Sequence, residues 1–161
     1  EMIYAKSRDN ARTPVQWDAS PHAGFTTGTP WIQVNPNYPD INVAQARRDP
    51  DSIFAYYQRL IRLRKEHLII VYGEYDLIAE GDERIYAFTR TLDAQRLLVL
   101  LNFSAGRPVF SVPTELSLDG ARLLIGNYPA GDEETASRLV LRPYEARVYL
   151  VDETGATGEN E

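Results

Sequence analysis

Ile85-Tyr86-Ala87-Phe88-Thr89-Arg90-Thr91 and Leu97-Leu98-Val99-Leu100-Leu101-Asn102 read as two short β-strands, with Leu92-Asp93-Ala94 as the turn between them. The run Leu97–Leu101 is apolar on both faces, which puts it at the centre of a sheet. Ala87 and Thr89, like Val148 and Leu150, lie in stretches that alternate, as half-buried strands do. Working outward, the same period predicts strands over Ile70–Ala79, Pro108–Val112, Ala121–Ile125, Leu139–Leu141 and Ala146–Val151. Glu80-Gly81-Asp82, Ser104-Ala105-Gly106, Asp119-Gly120 and Ala130-Gly131-Asp132 punctuate them. About seven short strands with regular turn signals predict an antiparallel sandwich.

Upstream of the strands the period becomes helical. Ile53, Tyr56, Tyr57, Leu60, Ile61 and Leu63 form the stripe of an amphipathic helix. Asp51 or Ser52 can cap it, and Arg59, Arg62, Arg64 and Lys65 crowd its final turns, where cations suit the helix dipole. The helix is predicted to end near His67. Val43–Arg48 reads as one short helical turn stopped by Asp49-Pro50.

Residues 1–40 read as a long loop. Pro14, Pro21, Pro30, Pro36 and Pro39 rule out a long helix. The charged, amide and aromatic run Ser7-Arg8-Asp9-Asn10-Ala11-Arg12-Thr13-Pro14-Val15-Gln16-Trp17-Asp18 has no apolar period, as expected of a loop shaped for a polar ligand. The first residues, Glu1–Lys6, read as the end of a helix cut from something longer, and 153–161 as a disordered polar tail. The helix stripe cannot be buried by this loop alone and must pack on the sandwich or on a missing partner.

Composition bounds the function. The chain has 161 residues, 43% of them hydrophobic, enough for a packed core. A net charge of −6 disfavours nucleic acid. The absence of cysteine excludes disulfides, thiolate nucleophiles and Cys-ligated zinc, and fits a reducing compartment. No apolar run approaches the ~18–20 residues that span a bilayer. Together with the lack of a signal-like N-terminus, this gives a cytoplasmic expectation with no membrane partner. Asp76–Asp82 lacks calcium-loop spacing, so no metal is predicted, and nothing calls for a cofactor.

The segment Ser7–Asp18, with His22-Ala23-Gly24-Phe25-Thr26, resembles the C-terminal part of glycoside hydrolase family 13, the α-amylase family, in its oligo-1,6-glucosidase and α-glucosidase branch. The resemblance continues through Val34-Asn35-Pro36-Asn37-Tyr38, Asp51-Ser52-Ile53-Phe54, Leu60-Ile61-Arg62-Leu63-Arg64-Lys65, Val71-Tyr72-Gly73 and Leu141-Arg142-Pro143-Tyr144-Glu145-Ala146. It implies an α+β fragment: the end of a (β/α)8 barrel, comprising a long loop and the last helix, followed by an antiparallel β-sandwich. Residues 1–70 would be the terminal segment of the barrel and 71–152 the sandwich. Active sites of such barrels lie among the loops after the strands, so residues 7–38 would lie near one.

The family's retaining hydrolysis uses a nucleophilic carboxylate and an acid/base carboxyl about 5 Å apart. Both belong to barrel strands upstream of this segment, so no residue here is assigned a catalytic role and the chain alone is expected to be inactive. By resemblance Arg8 contacts the terminal glucose, its guanidinium fork gripping hydroxyls and pairing with an aspartate on the missing part. The alternative is an arginine that only ties the loop to a carboxylate. Asp9 and Arg12 read as loop braces, Trp17 and Trp31 as core anchors, His22 as a loop hydrogen-bonder and Tyr144 as a corner residue. Tyr72, Tyr75, Tyr86, Phe88, Phe103 and Phe110 sit in strands patterned for core packing.

The resemblance thus implies part of an exo-acting α-glucosidase acting on short α-gluco-oligosaccharides, with the N-terminal barrel segment as its partner. Two alternatives stand beside it: a non-catalytic amylase-like interaction subunit and a carbohydrate-binding β-sandwich module.

Overall fold

A computed structural model of the chain describes residues 8–129 and 137–152. The expected N-terminal helix end, the 153–161 tail and the Ala130-Gly131-Asp132 turn lie outside the described residues. The chain divides into two compact units, Glu1–Arg59 and Leu60–Glu161.

The second unit holds seven strands among the described residues: β1 (Glu74–Leu77), β2 (Ile85–Leu92), β3 (Gln95–Asn102), β4 (Val109–Ser111), β5 (Arg122–Gly126), β6 (Arg138–Val140) and β7 (Ala146–Asp152). All pairings are antiparallel, in a five-stranded sheet of order β1-β2-β3-β7-β5 and a two-stranded sheet β4-β6. β3 is the middle strand, as its two-faced apolar run requires. The inner face of the large sheet carries Ile85, Ala87, Leu98 and Leu100, which pack with Phe110, Leu116, Leu139 and Leu141. Each fully buried leucine stabilises by roughly 1.5–3 kcal/mol.

The predicted strand Ile70–Ala79 is corrected. Ile69–Tyr72 is a single helical turn, α3, and the strand begins only at Glu74. The β-branched run reads locally as strand, but long-range bonds decide otherwise. The Arg90 guanidinium donates to the carbonyls of Ile69 (3.2 Å), Val71 (3.3 Å) and Gly73 (2.7 Å), which closes the helix end. A Cβ at Gly73 would meet the Ile69 carbonyl oxygen at 2.6 Å, so the tight exit needs glycine. α3 seats Ile69 against Leu97 and Leu150 on the outer face of the large sheet, a second core.

The aromatic expectation is corrected as well. Only Phe110 is in a core; Phe88 is half-buried, and Tyr72, Tyr75, Tyr86 and Phe103 are exposed. Tyr86 and Phe88 alternate with buried Ile85 and Ala87, so the pleat turns them to the outer face. There Tyr75 and Tyr86 share a hydroxyl hydrogen bond of 2.9 Å and both pack on Phe88.

A buried polar network closes the sandwich corner. Glu145 and Arg147, 1% and 3% exposed, form an ion pair of 2.9 Å. The other Glu145 oxygen accepts the Arg142 backbone N–H at 2.6 Å. This holds Tyr144 at φ +54, the corner expected of it. Asn102, also buried, donates to the carbonyls of Gly106 and Arg142 and accepts from Ser104.

In the first unit α1 (Val43–Ala46) is capped by Asn42, whose side chain accepts from Gln45 N–H at 2.9 Å. α2 (Ile53–Glu66) starts in this unit. Ser52 is its cap: the hydroxyl accepts from Ala55 N–H at 3.1 Å and donates to the carbonyls of Ala46 and Asp49. No residue of α2 is buried, and Ile53, Tyr57 and Ile61 of its apolar stripe are 79%, 61% and 54% exposed.

Candidate functional site

The loop of the first unit is closed by backbone and amide bonds. Val43 N–H donates to the Gln16 carbonyl and Ala44 N–H to that of Trp17, at 2.8 and 3.0 Å. The Gln16 side-chain amide donates to Asn37 Oδ1 at 2.9 Å and to the Ile41 carbonyl at 2.6 Å. Asn42 is buried and donates to the Tyr38 carbonyl while it caps α1. Residues 16–17 and 37–44 are thereby fixed to each other.

A second brace sits at the tip. Trp17 and Asp18 N–H groups both donate to the Ala23 carbonyl. His22, Ala23 and Gly24 are successive left-handed residues, at φ 56, 58 and 65. A left-handed conformation costs a non-glycine residue roughly 1–2 kcal/mol, so this reversal is held by its surroundings. The Asp18 carboxylate fills the space beside Gly24: a Cβ there would lie 2.7 Å from Oδ1. Asp18 accepts both the hydroxyl and the backbone N–H of Ser20. The hydroxyl, then the N–H, hold its carboxyl below the usual aspartate range. A general acid needs the opposite shift, so Asp18 is a structural acceptor.

Arg8 lies in a short 3₁₀ turn, Arg8–Ala11, and is exposed. Its guanidinium makes no hydrogen bond or ion pair with a described residue. Asp9 does brace the turn, its carbonyl accepting Arg12 N–H at 3.0 Å. The side chain of Arg12 makes no such bond among the described residues, which corrects its reading as a brace. His22 bonds through its carbonyl, which accepts Phe25 N–H, while its exposed ring makes no hydrogen bond with a described residue. Trp17 and Trp31 are 51% and 100% exposed and anchor no core in this unit. The reason is geometric: only Pro14, Ala23 and Asn42 are buried among its described residues, so there is no interior to receive an indole.

Residues 1–73 match the family model described as the alpha amylase catalytic domain, and residues 75–148 the model described as the maltogenic amylase C-terminal domain. The chain belongs to the α-amylase family. It is 56% identical over 151 residues to an oligo-1,6-glucosidase of Parageobacillus thermoglucosidasius, covering 94% of this chain and 27% of that protein. Among solved structures, a trehalose-6-phosphate hydrolase of Bacillus licheniformis superposes with a TM-score of 0.82 at 44% identity, covering 94% of this chain and 27% of that one. An isomaltulose synthase of Klebsiella sp. LX3 superposes at 0.77 and 36% identity, with 89% and 26% covered. The chain thus spans about a quarter of the length of these α-amylase-family relatives.

The two family matches meet between Gly73 and Tyr75, where α3 ends and β1 begins. Arg8 and the Gln16–Asn42 frame fall in the catalytic-domain match and the sandwich in the C-terminal match, so the chain joins the end of an α-amylase barrel to an antiparallel β-sandwich. Sequence reasoning missed the roles of Gln16 and Asn42. Asn42-Val43-Ala44-Gln45 carries a legible signal, a capping residue followed three positions later by glutamine. Nothing local announces the Gln16 clamp, whose partners lie 21 and 25 residues away.

Proposed function

We propose that this chain is the C-terminal portion of a retaining, exo-acting α-glucosidase that hydrolyses α-1,6 bonds of short gluco-oligosaccharides. It supplies a wall of the substrate pocket and a stabilising domain, while the catalytic carboxylates come from the preceding barrel segment. The observation that carries this reading is the 56% identity to an oligo-1,6-glucosidase across 94% of the chain. The exposed apolar stripe of α2 supports it, because a stripe of that width requires a covering surface, here assigned to the barrel. The domain boundary proposed is 1–70 for the barrel segment and 71–152 for the sandwich. The cysteine-free composition supports a cytoplasmic location, and no described helix is long and apolar enough to cross a membrane.

In this reading Arg8 grips hydroxyls of the terminal glucose. Its exposed guanidinium, without a partner among the described residues, supports that role, since a fork already spent on a loop carboxylate would be unavailable. Hydrogen bonds to charged groups contribute about 1.5–3 kcal/mol. Arg8→Ala in the full-length protein is therefore expected to lower kcat/KM on isomaltose by roughly tenfold to a hundredfold, with the thermal midpoint unchanged. Unchanged kcat/KM would remove Arg8 from the site.

A further inference from the structure

We propose that the outer face of the large sheet, where β1 and β2 meet, is a docking surface for the barrel polypeptide that precedes this chain in the full-length protein; the inference rests on the reading of the chain as the end of a barrel enzyme. The sequence of β3 sets the requirement. Its apolar run points to both faces, and a strand of that kind needs a cover on each. The inner face has its cover in Phe110, Leu116, Leu139 and Leu141. The outer face is covered by α3 at one end, where Ile69 sits on Leu97 and Leu150.

From that end the apolar surface runs on toward the sheet edge. Strand register sets Val99 beside Phe88, Leu101 beside Tyr86 and Leu77 beside Phe88. Val99, Leu101 and Phe88 are half-buried, while Tyr75, Tyr86 and Leu77 are 46%, 41% and 38% exposed. A contiguous apolar patch of this kind marks an interaction surface. Tyrosines suit one, since each offers an apolar ring with a polar tip. The Tyr75–Tyr86 hydroxyl bond and the packing of both rings on Phe88 hold the patch in shape, so docking would freeze little side-chain motion.

Several observations choose the occupant. α3, which already lies on this face, is the last element of the catalytic-domain match, so that domain's polypeptide reaches the sheet from this side. The chain spans 27% of the Parageobacillus relative, so most of such a protein lies outside the matched region and can supply the cover. A saccharide would stack on a flat row of rings, whereas Tyr75 and Tyr86 are tilted by 39° and 52° to Phe88. Strand addition by a second copy is opposed at the sheet edge, because β1 is four residues long and carries Glu74 and Asp76.

The test is hydroxyl-radical footprinting, read by mass spectrometry, of the full-length protein beside the 161-residue chain. Tyr75, Leu77 and Tyr86 are expected to label several-fold more slowly in the full-length protein, while Val109, exposed on the other sheet, labels alike in both. Leu77→Lys gives a second readout. An edge-strand lysine is tolerated in the free chain, whose thermal midpoint should hold. The full-length midpoint should fall by several degrees, because there the charge is trapped under the cover. The inference is overturned if the three residues label equally in both proteins, or if Leu77→Lys shifts both midpoints alike. It is also overturned if labelling of the free chain falls as its concentration rises, which would make a second copy the occupant. Isomaltose hydrolysis by the same full-length sample separates the two readings. An active protein that leaves the patch unprotected removes the docking surface alone, and an inactive one that protects it removes the glucosidase reading alone.

Discussion

Asp18 shows how much one carboxylate organises. It accepts two bonds from Ser20, presses against the face of Gly24 where any side chain would clash, and its N–H shares the Ala23 carbonyl with that of Trp17. Its folded pKa is lowered, first by the Ser20 hydroxyl and then by the Ser20 N–H. The sign follows directly: the ionised form stabilises the loop fully above the unfolded value of about 3.9, and the contribution is lost as pH falls through the lower, folded value. A carboxyl-detected NMR titration should place the Asp18 midpoint below that of a model aspartate, and Ser20→Ala should move it upward. At the other end of the chain, Glu145 is the group whose loss should be felt most. Burial by itself would lower the pKa of Arg147, but the hydrogen bonds from its guanidinium to Glu145 and Tyr149 outweigh that and raise it. Glu145→Ala strands this buried cation and unties the Arg142 N–H, so denaturant unfolding should show a loss of about 3–5 kcal/mol.

Elements differ in how far local rules decide them. The Ser52 cap of α2 is local, and it ties three segments through Ala46, Asp49 and Ala55. Ser52→Ala should cost about 1–2 kcal/mol, read as a lowered thermal midpoint with faster amide exchange in the first turn of α2. That cap, the α2 stripe and the seven strands were legible because periodicity and capping act within a few residues. β3 announced its central place by being apolar on both faces, and the pairing with β2 and β7 bears this out. α3 was not legible. Ile69–Tyr72 has the composition of a strand, and its helical turn is held by Arg90, 17–21 residues away, which bonds the carbonyls of Ile69 and Val71 and that of Gly73 just after it. The tryptophans failed for a related reason: an indole signals burial only if an interior exists, and the loop unit has almost none. At the candidate site the resemblance singled out Arg8, and the structure adds the frame of Gln16 and Asn42 that shapes the loop carrying it.

At the scale of the whole molecule, the second unit has its own two-sided core, whereas the first is a braced loop with three buried residues among those described. The first unit lies within the catalytic-domain match, and the strands of the second fall almost entirely within the C-terminal-domain match. The proposed division of labour, in which the loop contributes substrate contacts, the sandwich stability and residues outside this chain the chemistry, belongs to this scale. The most direct test compares isomaltose hydrolysis by the full-length protein that contains this chain with hydrolysis by the 161-residue chain alone. The account predicts glucose release by the full-length protein and none by the chain. Turnover by the isolated chain, or an inactive full-length protein, would contradict it.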